Sequence, residues 1–165
     1  MKWLPLIPLF FSSPCFSDTS YLKEQRIYNK VTTAISTGNS KVISENEYED
    51  ISGYISEGQQ RWINLYPKLN KKPFLRVTYF QEGLDISMAY ALSKNPSEVL
   101  KFVNERNVNF ICGIPFIEPT QDEIKKYYSK TRAAIMSVNS DTIWKDKCLN
   151  TMDKVIASDI SLAEE

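Results

Sequence analysis

Carboxylates and cysteines are the side chains of this sequence that could carry chemistry, because its 165 residues include no histidine. The lack of histidine excludes Ser-His-Asp and Cys-His nucleophile systems, His-ligated zinc or iron sites and histidine-based pH switches. The sequence also has no G-x-x-x-x-G-K-[ST], G-x-G-x-x-G or G-x-S-x-G motif, so the familiar phosphate-binding loops and the nucleophile elbow are missing. We therefore predict that the protein is not an enzyme and that it needs no cofactor and no metal.

Paired carboxylates are the one catalytic device that remains, and the densest acidic cluster is Glu45, Glu47, Glu49 and Asp50. Alternate residues of a helix point in different directions, and Glu47 has a role as a helix cap. The cluster also lacks the mid-loop glycine of an EF-hand, so we interpret it as a solvated first helical turn. The enzyme alternative is a carboxylate-based cell-wall hydrolase, which needs two acids facing each other across a cleft.

The N-terminus has the pattern of a secretory signal peptide, with a basic start, an apolar stretch at residues 3–11 and a small-residue exit. The apolar stretch is about half of the ~20 residues that a membrane-spanning helix needs, so we expect no stable membrane anchor. We predict cleavage after Ser17. Residues 1–17 are then the signal peptide, and residues 18–165 form a single helical domain in the periplasm. Lipidation of Cys15 is the alternative.

Cleavage leaves two cysteines, Cys112 and Cys148. An even number of cysteines in an exported chain favours a disulfide bond, and closing a loop of this length stabilises a fold by about 3–4 kcal/mol. Two buried free thiols are the alternative, whereas a redox-active pair would need the C-x-x-C motif that is absent here. We predict one structural intrachain disulfide.

Tyr127 and Tyr128 are interleaved with four basic residues, Lys125, Lys126, Lys130 and Arg132. Aromatic and basic side chains together can stack on bases and neutralise phosphates. However, the whole chain has 20 basic and 20 acidic residues, and two acids precede this stretch directly. We predict no nucleic-acid partner and a solvated helix face with Tyr128 turned into the core.

A second unusual feature is a proline-bracketed run, Ile-Pro-Phe-Ile-Glu-Pro, at residues 114–119. The prolines fix the backbone around Phe116, Ile117 and Glu118, which present two large apolar groups beside one acid. One interpretation is a rigid plug that closes the core. The other is a preorganised docking loop, since rigid apolar anchors bind a partner with little loss of entropy.

A packing face follows the capping box Ser44-Glu45-Asn46-Glu47, where apolar residues recur every three or four positions as far as Leu69. Pro67 is expected to end the regular part of this helix. Trp62 and Tyr66 lie one turn apart on the same face. They are either a second partner-binding surface or part of a core seam.

Composition and spacing together predict an all-α fold, a compact bundle of five or six helices. The chain is 42% apolar and 24% charged, which is typical of one ordinary globular domain. We expect helices at residues 20–36, 44–69 and 73–92, a short helix after Asn95-Pro96, and helices from Thr120 and from Ser140-Asp141. The stretch from Phe74 to Phe80 is ambiguous, because its β-branched and aromatic residues also suit a strand. Residues 108–119 are expected to pack on the core without helical structure, held through Cys112.

Three motifs carry a resemblance to known proteins: A-L-x-K-N-P-x-x-V-L at residues 91–100, C-x-x-P-F-I-E-P at residues 112–119, and Cys148-Leu149. With them the chain resembles a group of small exported bacterial proteins. That resemblance implies a compact helical exported fold and a bond between Cys112 and Cys148. The chain is also similar, more distantly, to the periplasmic immunity proteins that neutralise type VI amidase effectors.

The function predicted from these features is protein binding in the periplasm, in the form of an immunity or inhibitor protein. The candidate partner-binding residues are Phe116, Ile117, Glu118, Trp62 and Tyr66. The alternative function is a structural or assembly component of a cell-envelope machine.

Overall fold

The computed structural model describes residues 17–139 and 142–163, and these residues form helices and turns without a strand. The helices in chain order are α1 Ser17–Thr37, α2 Glu45–Ser56, α3 Gln60–Ile63, α4 Tyr66–Leu69, α5 Thr78–Leu92, α6 Pro96–Val99, α7 Val108–Ile111, α8 Gln121–Met136 and α9 Ile143–Ala163. Five of them are long, and α3, α4, α6 and α7 are single turns. The prediction of an all-α fold is confirmed.

Two predictions concern residues that the structure does not describe. The predicted signal peptide at residues 1–17 lies outside the described chain except for Ser17, the first described residue of α1. The start of the last helix at Ser140-Asp141 also lies outside it, and the described part of this helix begins at Ile143.

The predicted helix over residues 44–69 is wrong in its extent, because the chain turns after Ser56. Gly58 has a φ of 78°, and a Cβ atom at this glycine would lie 2.9 Å from the Cβ of Lys94. Asn95 adds a hydrogen bond of 3.0 Å to the Gly58 carbonyl. Pro67 does not end a helix but lies in the first turn of α4. Its missing N–H costs nothing in a first turn, because the N–H groups there have no partner within the helix.

The predicted helix over residues 73–92 is also wrong at its start. A 3₁₀ turn covers Phe74–Arg76, Val77 interrupts the helix, and α5 begins at Thr78. The physical reason is the burial of both Phe74 and Phe80. If both residues lay on one α-helix, six positions apart, their rings would point about 120° away from each other. The interruption at Val77 changes the direction of the chain, so both rings enter the core.

Residues 108–119 pack on the core as expected, but they include one helical turn, α7, that the sequence analysis did not predict. Cys112 follows α7 and forms the predicted disulfide with Cys148 of α9, with the two Cα atoms 5.1 Å apart. A Cβ atom at Gly113 would lie 2.5 Å from the carbonyl oxygen of Asn109, so the chain needs glycine to leave this turn.

Helix α8 begins with the predicted capping box. The Thr120 side chain accepts a hydrogen bond from the Glu123 N–H, and the Glu123 side chain accepts one from the Thr120 N–H. The prediction that Tyr128 turns into the core holds only in part, because Tyr128 packs against the core but stays partly buried. Tyr127 is the buried tyrosine, and it donates a 2.9 Å hydrogen bond to the Ala89 carbonyl of α5. Tyr128 faces α9 and donates to Asp153 at 2.7 Å. Since α8 packs against both α5 and α9, neighbouring tyrosines can serve one partner each.

Glu47 joins α1 to the start of α2. Its carboxylate accepts bonds of 2.7 and 2.9 Å from Lys30 and one of 2.9 Å from the Ser44 N–H. Burial raises the pKa of Glu47, but the hydrogen bonds from Lys30 and Ser44 outweigh it and hold the pKa below its usual value. The acidic cluster therefore serves the fold at this residue.

The disulfide predicts the first measurable effect. Cys148→Ser should lower the free energy of unfolding by about 3 kcal/mol and the melting temperature by about 6–12 °C, because the unfolded chain gains freedom. Reduction of the unmodified protein with dithiothreitol should reproduce this loss. Equal melting curves for the oxidised protein and the variant would contradict the bond.

Glu47 predicts a pH dependence of stability. Because its pKa is lower in the folded protein, its contribution is present at neutral pH and disappears as the pH falls below the ordinary glutamate range. Glu47→Gln should cost about 1 kcal/mol at pH 7 and weaken the loss of stability in acid. Urea unfolding from pH 7 to pH 3 measures both effects, and Glu45→Gln, at an exposed position of the same turn, is the matched control. A variant with the acid dependence of the unmodified protein would contradict the assignment.

Candidate binding groove

Phe116 fixes the proline-bracketed segment to the body of the protein. Its ring lies between Tyr90 and Tyr127, with centroids 5.8 and 5.5 Å away and edge-to-face geometry. The Tyr90 hydroxyl also donates a 3.3 Å hydrogen bond to the Pro115 carbonyl. The interpretation as a core plug therefore applies to Pro115 and Phe116, which pack inward. The interpretation as a docking loop is left for the residues that follow them.

Ile117 is the most exposed large apolar side chain in the described chain, with 91% of its surface accessible. The next residue, Glu118, has a φ of 49°, in the left-handed region that non-glycine residues adopt at a cost of about 1–2 kcal/mol. Strained backbone of this kind is concentrated at functional sites. The segment is thus rigid on the Phe116 side and presents Ile117 to solvent.

A groove of about 510 Å³ is lined by residues of α5 and of this segment, next to the place where Phe116 packs on Tyr90 of α5. One wall is formed by the α5 residues Gln81, Glu82, Asp85 and Ile86. The other wall is formed by Asn109, Phe110, Ile114, Pro115, Phe116 and Ile117. Phe110 is 66% exposed and Ile86 is 40% exposed, so a partner would meet a mainly apolar surface.

The acidic residues of the groove, Glu82 and Asp85, both belong to α5 and lie one helical turn apart. Asp85 is held from inside the protein by the Tyr66 hydroxyl at 2.6 Å, and Asn107 donates to the same hydroxyl at 3.0 Å. Burial and the neighbouring Asp85 raise the pKa of Tyr66, so this hydroxyl stays a donor.

The two acids form one negative edge of the groove, and the facing wall carries no acid. Two-carboxylate hydrolysis places its acids on opposite sides of a scissile bond. Acids on a single wall instead suit the recognition of a cationic group, which the apolar wall would position.

Trp62 and Tyr66 are not a docking surface, and this part of the prediction is corrected. Both side chains are buried, Trp62 completely. The indole N–H of Trp62 donates to Glu24 at 2.9 Å, and its ring stacks on Tyr54. They belong to the core seam that the sequence analysis held as the alternative.

Six groove residues could not be assigned from the sequence: Gln81, Glu82, Asp85, Ile86, Asn109 and Phe110. Phe110 lies in the segment that was expected to pack inward, and its exposure depends on the unpredicted turn α7. The spacing of Glu82 and Asp85 places them on one side of a helix, but it does not reveal which segment faces them.

Among the described residues, no group of three or more cysteine or acidic side chains is arranged so that it could hold a metal ion. Among the same residues, no helix combines the length and the apolar character that crossing a bilayer requires.

Comparisons of the chain with protein-family models, with curated proteins and with solved structures find no match. The structure itself defines a helical, disulfide-bonded protein with a mainly apolar groove that has one acidic edge.

Backbone strain at Glu118 predicts an unusual order of stabilities. Glu118→Gly should be more stable than Glu118→Ala by about 1 kcal/mol, because glycine adopts the left-handed conformation without the cost of a Cβ atom. At a position with ordinary backbone angles, alanine would be the more stable of the two. Urea unfolding of both variants measures the difference, and the ordinary order would contradict the strain.

Proposed function

We propose that the protein is an exported binding protein that captures another protein in the groove between α5 and the segment around Phe116. The observation that carries the proposal is the exposure of Ile117 on a segment that Phe116 anchors. An apolar side chain on an anchored backbone loses less entropy on binding than one on a free loop, so more of its burial contributes to affinity.

The walls of the groove define the chemistry of the partner. Phe110, Ile114 and Ile117 offer apolar contacts, and Glu82 and Asp85 offer negative charge on the opposite side. A complementary partner segment carries an apolar side chain next to a lysine or arginine. The charged pair would favour correct orientation and fast association.

Two lines of support favour an exported inhibitor over other binding proteins. A disulfide is stable in oxidising compartments such as the periplasm. The resemblance to periplasmic immunity proteins favours a secreted amidase that degrades the cell wall as the partner, with inhibition as the result of binding. A component of an envelope machine is the alternative that shares the same groove.

The groove can be tested with a matched pair of variants, Ile117→Asp and Leu22→Asp. Both residues are exposed, at 91% and 64%, so neither change should affect folding, and circular dichroism checks this. In pull-downs from periplasmic extract, Leu22→Asp should retain the partner of the unmodified protein. Ile117→Asp should bind it about 10- to 100-fold more weakly, because a charge replaces a central apolar contact.

The inhibitor role needs a separate readout with the captured partner. The partner should be a wall-degrading amidase, and one equivalent of the protein should stop its release of peptides from purified peptidoglycan. If both aspartate variants capture the partner equally, or if Ile117→Asp loses no partner, the groove is not the binding site. Capture of an envelope complex without amidase activity would contradict the inhibitor role and support the assembly alternative.

A further inference from the structure

Two surface crevices are lined by basic side chains and by no acidic one, although the whole chain has no net charge. Lys41, Lys72 and Arg76 line a crevice of about 370 Å³. The Ser40 hydroxyl, which donates to the Pro73 carbonyl at 3.2 Å, joins the two segments that form it. The three basic side chains make no ion pair with any described residue.

A second basic crevice of about 450 Å³ lies next in the chain, since Lys71 lines it beside Lys101 and Arg106. Lys101 pairs with Glu98, whereas Lys71 and Arg106 have no ion pair within the described ranges. The amide side chains of Asn70, Asn104 and Asn107 complete its polar lining. We call the two crevices together the basic face.

An exposed apolar side chain belongs to the basic face. Leu75 lines the first crevice together with Lys72 and Arg76 and is 50% exposed. Lysine and arginine around exposed aliphatic side chains match a bilayer surface, where anionic headgroups lie next to acyl chains.

From this arrangement we propose that the basic face binds the surface of anionic membranes. The phosphates of lipid headgroups occupy the two crevices, and Leu75 enters the boundary between headgroups and acyl chains. The exposed Leu75 favours a bilayer over an acidic protein surface, which would leave this side chain in water or against polar groups. This binding is peripheral and reversible, and it rests on residues separate from the groove proposed for the protein partner.

Co-sedimentation with lipid vesicles tests the proposal. The protein is purified from the cells that make it, so that it carries its natural processing. Binding to vesicles of three parts phosphatidylethanolamine and one part phosphatidylglycerol is compared with binding to phosphatidylcholine vesicles. The protein should prefer the anionic vesicles, and 0.5 M NaCl should release it, because salt screens the attraction. Equal binding to both kinds of vesicle, or to neither, would overturn the proposal.

Two double variants with the same net charge give the control. Lys72→Gln with Arg76→Gln should lower the partition coefficient about 25-fold, because each basic residue contributes about fivefold. Lys125→Gln with Lys126→Gln, on the exposed side of α8, should change it less than threefold because these residues lie outside the basic face. Leu75→Ser should also weaken binding without altering its salt dependence. Equal losses in the two double variants would contradict the basic face.

Soluble anions distinguish the other sources of negative charge. Inorganic phosphate and poly-glutamate are titrated separately by calorimetry against the unmodified protein. Weak binding of phosphate together with vesicle binding supports headgroup recognition. Binding of poly-glutamate or phosphate without binding of anionic vesicles would overturn the membrane proposal.

Discussion

The position of Phe116 between Tyr90 and Tyr127 is the contact on which the candidate site depends. The two tyrosines come from different helices, α5 and α8, so the phenylalanine ties the proline-bracketed segment to both. Ile117 is exposed while the neighbouring Phe116 is held, and the groove is lined by α5 on one side of this contact and by residues 109–117 on the other. The Cys112–Cys148 disulfide holds the start of the same segment against α9.

The molecule separates its charges into distinct surfaces. Glu82 and Asp85 form one edge of the groove, and Lys41, Lys72 and Arg76 line a crevice elsewhere. A net charge of zero therefore describes a chain with local fields of both signs, each suited to a different partner. Tyr66 lies between the groove and the second basic crevice. Its hydroxyl donates to Asp85 of the groove, and its side chain lines the crevice.

Local signals in the sequence predicted the helical class, the disulfide and the capping box at Thr120, because each depends on nearby residues or on the parity of cysteines. The breaks at Gly58 and Val77 depend on what packs there from elsewhere in the chain, so periodicity alone joined the segments on either side. Trp62 and Ile117 show the same limit for the site. Both are large and apolar, but tertiary packing alone determines that the first is buried and the second exposed.

Hydrogen–deuterium exchange of the protein with and without its captured partner shows directly which surface the partner covers. If the groove is the binding site, slowed exchange on binding is confined to its two walls, at residues 81–86 and 109–117. Slowed exchange at other surfaces, with these two segments unchanged, would contradict the claim that the groove is the binding site.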